Sequence, residues 1–223
     1  MGGGSNRSPR RKNKGERIMI YVSAFDLDHT LVQANASLLF YKYLIKRGVL
    51  HRFALLKAFF YSMQHYTFGV GLEELHEKVF KKFLKGRSLQ FVEQEVAEFL
   101  KGDFFQFLYQ PALARLRRAQ HEGHYTVILS NSPSFIVGPI AAYLGVSSWS
   151  SSRYRVDKNG KLSAVDTILL GDGKAEYLRK LGQKFKITKE KITAYSDSIL
   201  DLPFLAAAGK AIVVNPTDPE MKK

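Results

Sequence analysis

Four aspartates in two closely spaced pairs are the residues of this chain best suited to chemistry. Asp26 and Asp28 lie two residues apart, and Asp197 and Asp201 lie four residues apart. Four converging carboxylates would repel one another unless a hard cation neutralised them. Mg²⁺ is the cation that suits carboxylates with few other ligands. If the chain folds so that the two pairs meet, we therefore expect them to form a Mg²⁺ site.

Short apolar segments precede these residues and predict the strands that would bring them together. The predicted strands are residues 18–25, 125–129, 192–195 and 211–214. The first three end at Asp26, at Ser130 with Asn131, and at Asp197. Because these strands alternate with helical segments, we expect an α/β fold with a parallel sheet. Ligands of such sheets bind outside the carboxyl ends of the strands, where these polar side chains would meet.

Residues 33–110 interrupt this alternation with a long helical segment. Apolar residues recur there at three-to-four spacing, and glycines divide the segment into about four helices. We interpret residues 33–110 as a helical cap inserted into a core of residues 18–32 and 111–223. Within the core, Ser132 is expected to cap a helix with Pro133 in its first position. Asp172 is expected to cap a helix that begins at Lys174.

Four short motifs occur in an order that resembles the haloacid dehalogenase superfamily. The first is DxDxT, present as Asp26-Leu27-Asp28-His29-Thr30, and the second is an apolar strand that ends in Ser130. The third is Lys174 in the segment GDGKAEYL, and the fourth is DxxxD, from Asp197 to Asp201. The long insertion after the first motif is similar to that of subfamily IB, whose members are phosphoserine-phosphatase-like. The resemblance implies a Rossmannoid parallel sheet with helices on both faces and an inserted helical C1 cap.

The resemblance also implies a role for each aspartate. Asp26 would be the nucleophile that attacks phosphorus and forms an aspartyl-phosphate. Asp28 would act as the general acid and then the general base, and Thr30 would support the loop between them. Mg²⁺ would be held by Asp26, the backbone carbonyl of Asp28 and Asp197. Asp201 would bind it through water or orient the other ligands.

The resemblance further implies that residues after the second strand and at the start of a later helix bind the phosphate. Ser130 and Asn131, with nearby backbone N–H groups, would bind the phosphate oxygens, and Lys174 would neutralise their charge. The implied activity is that of a Mg²⁺-dependent phosphatase acting on a phosphomonoester. A phosphotransferase that passes the phosphoryl group to an alcohol on the same scaffold is an alternative that the sequence leaves open.

One position argues against phosphoserine as the substrate. In phosphoserine phosphatases an acidic residue shortly after DxDxT binds the substrate's ammonium group, and the matching position here is Asn35. An amide cannot form the ion pair that an ammonium group requires in a closed site. Segment 33–37 contains no carboxylate at all. We therefore expect a different small phosphorylated substrate.

The net charge of +14 is distributed unevenly along the 223 residues. Residues 1–17 carry six basic residues and one acidic residue, and their composition is typical of a disordered tail. No acidic residue lies between Asp28 and Glu73, a stretch that also contains many aromatic residues. This pattern favours an anionic, lipid-like substrate or peripheral contact with a membrane. A basic module that binds membranes or nucleic acid is a further alternative, although nucleic acid is the weaker expectation.

Composition excludes some classes of site and leaves the location partly open. The chain has no cysteine, which excludes disulfides, thiolate metal sites and a cysteine nucleophile. Segment 1–17 lacks the apolar stretch of a signal peptide. We expect a cytoplasmic protein, with peripheral attachment to a membrane as a second expectation. The sequence does not indicate an oligomeric state.

Overall fold

A six-stranded sheet forms the centre of the structure, a computed structural model that describes residues 19–50 and 72–216. The strand order is β4-β3-β2-β1-β5-β6. All neighbouring strands are parallel except β3 and β4, which are antiparallel. In chain order the strands are β1 (Val22–Phe25), β2 (Tyr125–Pro133), β3 (Ser148–Val156), β4 (Leu162–Thr167), β5 (Ile192–Ser196) and β6 (Lys210–Val213).

Seven α-helices connect the strands or belong to the insertion within the described ranges. They are α1 (Ala36–Lys46), α2 (Leu72–Phe83), α3 (Leu89–Lys101), α4 (Gln110–His121), α5 (Ser134–Leu144), α6 (Gly171–Phe185) and α7 (Leu202–Ala206). Short 3-10 turns occur at Asp103–Phe107, Lys189–Lys191 and Ile199–Asp201. Across residues 19–50 and 72–216, the helices are all too short or too polar to cross a bilayer.

Two hydrophobic cores hold helices against opposite faces of the sheet. On one face, Phe25 and Ile128 pack with residues of α1 to α5. On the other face, Val127 and Leu129 pack with Leu178 of α6 and with residues of α7. Successive strand residues point to opposite faces, so β2 contributes to both cores. The predicted α/β fold with helices on both faces of a mainly parallel sheet is confirmed.

The β3–β4 hairpin was absent from the sequence prediction, which placed no strand between residues 130 and 167. Its two strands are joined by a turn in which Gly160 has a φ of +73°. Asp157 supports that turn, because its carboxylate accepts hydrogen bonds from the backbone N–H groups of Asn159 and Lys161. Asn-Gly between two alternating segments is a recognised hairpin signal, so this element could have been predicted.

Two helix starts differ from those that were predicted. Strand β2 continues to Pro133 and α5 begins at Ser134, so Ser132 does not cap that helix. The Ser132 hydroxyl bonds instead to a carboxylate on a neighbouring strand loop, described below. Helix α6 begins at Gly171 with Leu170 at the N-cap, so Asp172 lies in the first turn rather than at the cap.

The helical insertion between β1 and α4 is joined to the β3–β4 hairpin by backbone hydrogen bonds. Gly86 N–H donates to Leu162 O at 2.8 Å, and Leu162 N–H donates to Arg87 O at 2.9 Å. Ser88 and Lys161 form an antiparallel bridge beside them. The cap boundaries at residues 33 and 110 stay a prediction. The predicted tail at residues 1–17, like segment 51–71 of the insertion, lies outside the described residues.

This bridge predicts a disulfide that should form readily in a chain with no native cysteine. Opposed residues of antiparallel pairs have Cα atoms roughly 4.5–5.5 Å apart, within the range for a disulfide. We expect Ser88→Cys/Lys161→Cys to cross-link on oxidation. The free energy of unfolding of the oxidised form should exceed that of its reduced form by about 2–4 kcal/mol in urea titrations. Single Lys161→Cys should form no cross-link within one chain, and failure of the double variant to form one would contradict this geometry.

Candidate active site

The loop after β1 places two aspartates at the carboxyl end of the sheet. Asp26 continues the strand, because its N–H donates to Tyr195 O of β5 at 2.9 Å. The chain then turns sharply, and the N–H groups of residues 31 and 32 both donate to Leu27 O. His29 has a φ of +58°, a left-handed conformation that is uncommon outside glycine. This turn keeps Asp26 and Asp28 beside each other, at 6 % and 7 % exposure.

Lys174 connects the first and fourth motifs through two short ion pairs. Its Nζ lies 2.6 Å from Asp26 Oδ1 and 2.7 Å from Asp201 Oδ2. Lys174 is on the buried face of α6, in line with Ala175, Leu178 and Leu181, so the helix directs it towards the sheet. The Lys174 side chain is therefore fixed at both ends, by helix packing and by two carboxylates.

Asp201 is held by a second partner that the sequence prediction did not identify. Ser196, the last residue of β5, donates its hydroxyl to Asp201 Oδ2 at 2.7 Å, and it is fully buried. The short 3-10 turn Ile199–Asp201 brings Asp201 back to this point. Ser196 directly precedes Asp197 at the strand end, and that position is the signal that could have identified it.

Asp28 has hydrogen-bond donors on both of its carboxylate oxygens. Oδ1 accepts from the backbone N–H of Ala36 at 2.6 Å, at the start of α1. Oδ2 accepts from Ser132 Oγ at 2.7 Å and from Ser130 Oγ at 3.4 Å. Ser130 also accepts from the N–H of Ser132 at 3.0 Å. Ser132 was predicted as a helix cap, and its spacing of two from Ser130 is the signal for this other role.

Thr30 links the first motif to the fourth, and Asn131 lies at the edge of the site. Thr30 Oγ1 donates to Asp197 Oδ1 at 3.1 Å, and both residues are buried. Asn131 is half-buried, and its backbone carbonyl accepts from Ser152 Oγ at 2.6 Å. The contacts of the structure place seven predicted residues in three groups: Asp26 and Asp201 on Lys174, Ser130 on Asp28, and Thr30 on Asp197.

Burial and mutual repulsion determine the charge states of the first ion pair. Burial raises the pKa of Asp26 well above its ordinary value, Lys174 opposes that rise, and the neighbouring carboxylates of Asp201, Asp28 and Asp197 add to it. Burial alone would lower the pKa of Lys174, but Asp26 and Asp201 outweigh it and raise that pKa. Lys174 is therefore an ammonium ion in the neutral pH range and favours the ionised form of Asp26.

The pKa of Asp28 is also raised, but its hydrogen-bond partners are neutral groups. Burial raises the pKa of Asp28, while the hydrogen bonds from Ala36 N–H and the Ser132 hydroxyl lower it in part. A carboxyl group with a raised pKa retains its proton to higher pH than an exposed aspartate. Asp26 lies beside an ammonium ion, which favours its ionised form, whereas the hydrogen-bond donors to Asp28 are neutral, so the two carboxyl groups differ in their partners.

The charge of the site fits a divalent cation with oxygen ligands. Four buried carboxylates face one ammonium group, which leaves excess negative charge in a region of low polarity. Within residues 19–50 and 72–216, no three acidic or histidine side chains are grouped closely enough to hold a metal by themselves. Mg²⁺ is commonly bound through one or two carboxylates together with waters and substrate phosphate, so the donors present suit that ion.

Comparison with known proteins gives a consistent family assignment. The sequence model of the family described as haloacid dehalogenase-like hydrolase matches residues 24–206. A probable phosphatase of Mycobacterium tuberculosis is 31% identical over 194 residues, which cover 86% of this chain and 68% of the relative. A histidinol-phosphatase of Neisseria meningitidis is 24% identical over 216 residues, covering 91% and 93%.

A solved structure supports the fold. A substrate-bound phosphoserine phosphatase superposes with a TM-score of 0.69 at 19% identity, covering 92% of this chain and 90% of that one. At that identity the likeness concerns the fold alone.

The raised pKa values predict how stability depends on pH when no metal is bound. A folded state that holds protons more tightly than the unfolded state loses stability as pH rises through the raised pKa. In EDTA, ionisation of Asp26 and Asp28 should therefore lower the free energy of unfolding as pH rises, whereas His76, whose buried imidazole has its pKa lowered to about 4, contributes in the opposite direction. Adding Mg²⁺ should restore more stability at the higher pH, because the ion binds ionised carboxylates.

Asp26→Asn provides the matched comparison for this pH dependence. The variant removes the group with the raised pKa and one source of repulsion, so its stability should fall less with pH than that of the wild type. Urea titrations of both proteins in EDTA measure the difference. Identical pH slopes in the two proteins would show that Asp26 does not carry the raised pKa.

Gly171 and Gly173 form a matched pair in the first turn of α6. A Cβ on Gly171 would lie 2.4 Å from the backbone oxygen of Leu200, whereas one on Gly173 would meet only the end of the Leu169 side chain, at 3.0 Å. We expect Gly171→Ala to lower the free energy of unfolding by about 1–3 kcal/mol. Gly173→Ala should change it by about 0.5 kcal/mol or less, since the leucine can move. Equal effects in urea titrations would contradict this close approach.

Proposed function

The chain belongs to the haloacid dehalogenase-like hydrolase family, and from that premise we propose that it is a Mg²⁺-dependent phosphatase acting through an aspartyl-phosphate on Asp26. The named relatives support the reaction class, since they include a probable phosphatase and a histidinol-phosphatase. The observation that carries the proposal is the contact of Lys174 Nζ with Asp26 Oδ1 at 2.6 Å, at the carboxyl end of a central strand. That contact favours the ionised form of Asp26 against the rise in pKa that burial causes, and the ionised form is the one a nucleophile requires.

In the first step, a carboxylate oxygen of Asp26 would attack the phosphorus of the substrate. A bond forms between that oxygen and phosphorus, and the bond from phosphorus to the alcohol oxygen breaks. The electron pair goes to the leaving oxygen, which takes a proton from Asp28. The raised pKa of Asp28 suits this role, since the carboxyl group must hold a proton before it can donate one.

In the second step, a water molecule would attack the phosphorus of the aspartyl-phosphate. Asp28, now ionised, takes a proton from the water, and the bond between phosphorus and the Asp26 oxygen breaks. Inorganic phosphate leaves and both aspartates return to their starting states. When bound by Asp26, the Asp28 backbone carbonyl and Asp197, Mg²⁺ would withdraw charge from the phosphoryl oxygens.

Phosphate binding is assigned to Ser130, Asn131 and Lys174. Ser130 is fully buried in the second half of β2, and its hydroxyl lies 3.4 Å from Asp28 Oδ2. The Lys174 ammonium, already on Asp26, would offset charge that develops on the phosphoryl group. Asp201 is held by Lys174 and Ser196, which favours the orienting role over direct metal binding.

The contacts of Asn35 support a substrate other than phosphoserine. Its side-chain oxygen accepts from Leu38 N–H at 2.9 Å and caps α1. This residue therefore serves the helix, and it brings no carboxylate for a substrate ammonium group. The preference for an anionic, lipid-like substrate or for membrane contact stays a prediction, because part of the basic aromatic stretch lies outside the described residues.

The central prediction of this proposal concerns the nucleophile. Asp26→Asn should reduce the hydrolysis of p-nitrophenyl phosphate by at least about a thousandfold, because an amide cannot form the covalent intermediate. EDTA should abolish the activity of the wild type, and Mg²⁺ should restore it. Asp172→Asn, on the exposed side of the first turn of α6, is the matched control and should keep full activity.

Two results would alter the proposal in different ways. Normal turnover by Asp26→Asn would exclude the covalent mechanism. Transfer of the phosphoryl group to an added alcohol, seen as a phosphate ester in place of inorganic phosphate, would favour the phosphotransferase.

A panel of phosphomonoesters that includes phosphoserine, histidinol phosphate and a lysophosphatidate would identify the substrate class. Efficient phosphoserine turnover would exclude the inference, drawn from Asn35, that phosphoserine is not the substrate.

A further inference from the structure

We propose that Ser132 is a positioning residue that orients the Asp28 carboxyl group and connects it to the first turn of α1. The inference rests on the proposed function, since it concerns the residue assigned as the general acid. It adds a residue outside the four motifs, one that the sequence had indicated only as a helix cap. The evidence is a continuous set of hydrogen bonds between β2, the loop after β1 and α1.

Ser132 is the nearer of the two hydroxyl donors to Asp28. Its Oγ lies 2.7 Å from Asp28 Oδ2, whereas Ser130 Oγ lies 3.4 Å from the same atom. Ser132 is 2 % exposed, so water cannot readily replace its hydroxyl. A hydrogen bond of 2.7 Å to a carboxylate is in the strong class, and one of 3.4 Å is weak. Ser132 is thus the main side-chain restraint on that oxygen.

Helix α1 restrains Asp28 by two routes. Ala36 N–H donates directly to Asp28 Oδ1 at 2.6 Å. The next residue, Ser37, has its Oγ 3.0 Å from Ser132 Oγ, so it also reaches Oδ2 through that hydroxyl. Both carboxylate oxygens are therefore tied to the same turn of α1, one directly and one through Ser132. The orientation of the proposed general acid depends on α1 being seated against the core.

The chemical consequence depends on the leaving group. An alkoxide is a poor leaving group that needs a proton as the bond to phosphorus breaks, whereas p-nitrophenolate leaves without much assistance. A loosely oriented Asp28 should therefore slow the release of alcohols while the attack by Asp26 is unaffected. A general loss of structure or of phosphate binding would slow both kinds of substrate alike. The ratio between the two substrates distinguishes positioning from damage.

The test is Ser132→Ala assayed on an alkyl phosphate and on p-nitrophenyl phosphate. We expect kcat/KM for the alkyl phosphate to fall about tenfold or more and kcat/KM for p-nitrophenyl phosphate to change by less than about threefold. The ratio kcat/KM is compared because it ends at release of the alcohol and excludes the second step, in which Asp28 acts alike for both substrates. Ser163→Ala is the matched control, since that hydroxyl donates to Arg155 O on the β3–β4 hairpin, outside the site. The control should leave both rates unchanged. An equal loss on both substrates, or no loss on either, would overturn the inference.

Ser37→Ala keeps the inference testable if Ser132→Ala fails to fold. Ser37→Ala should lower kcat/KM for the alkyl phosphate by a smaller factor, about two- to fivefold, because Asp28 keeps its direct contact with Ser132. Its kcat/KM for p-nitrophenyl phosphate should stay unchanged. In the double variant, the loss of Ser37 should have no further effect, because its route to Asp28 runs through Ser132. Fully additive losses would show that the two serines act separately and would overturn the link to α1.

Failure of this inference and failure of the proposed function give different results. If the wild type is active and Asp26→Asn is inactive, the proposed function stands. Equal effects of Ser132→Ala on both substrates would then overturn the positioning role alone. Full activity of Asp26→Asn would overturn the proposed function, and the inference about Ser132 would fall with it.

Discussion

The contact of one buried ammonium group with two carboxylates is the interaction on which the rest of the site depends. Lys174 lies between Asp26 and Asp201, and all three side chains are at most 8 % exposed. Without that cation, four aspartates at one sheet edge would repel one another in a region that solvates charge poorly. Helix α6 supplies the lysine because its buried face, which packs on the sheet through Leu178 and Leu181, also contains residue 174.

A second constraint joins the site to the helical insertion. Asp28 is bound by Ala36 N–H of α1 on one oxygen and by Ser132 on the other. The insertion also packs into the same hydrophobic core as Phe25 and Ile128 of the sheet, and it bonds to the β3–β4 hairpin. The orientation of Asp28 therefore depends on one hydrogen bond from the insertion, through Ala36, and on another from the core, through Ser132. The chemistry assigned to Asp26 depends chiefly on the core.

The parts that the sequence could predict are those marked by local pattern. The strands β1, β2, β5 and β6 are short apolar segments, and their polar ends locate Asp26, Ser130 and Asp197. Lys174 was assigned to the site through the resemblance to the family's motifs, and its contact with Asp26 spans 148 positions of the sequence. Local pattern was sufficient for the strand ends because parallel strands place their carboxyl ends on one edge.

The parts that the sequence could not predict depend on contacts between distant residues. Ser132 looked like a helix cap because Ser-Pro commonly begins a helix, yet the nearby Asp28 carboxylate is the partner it bonds to. Ser196 becomes a partner of Asp201 only when the 3-10 turn folds back. The β3–β4 hairpin was missed for a different reason, since its turn signal at Asn159-Gly160 is local and was not used.

The most direct test of the account is to find where the phosphoryl group resides during turnover. The wild type can be mixed with a phosphomonoester and Mg²⁺, quenched in acid within the first turnovers, digested and mapped by mass spectrometry. We predict a single phosphoryl group on the peptide that contains Asp26, stable in acid and lost on mild treatment with base. A phosphoryl group on Ser130 or on another residue, or rapid turnover with no covalent intermediate, would contradict it.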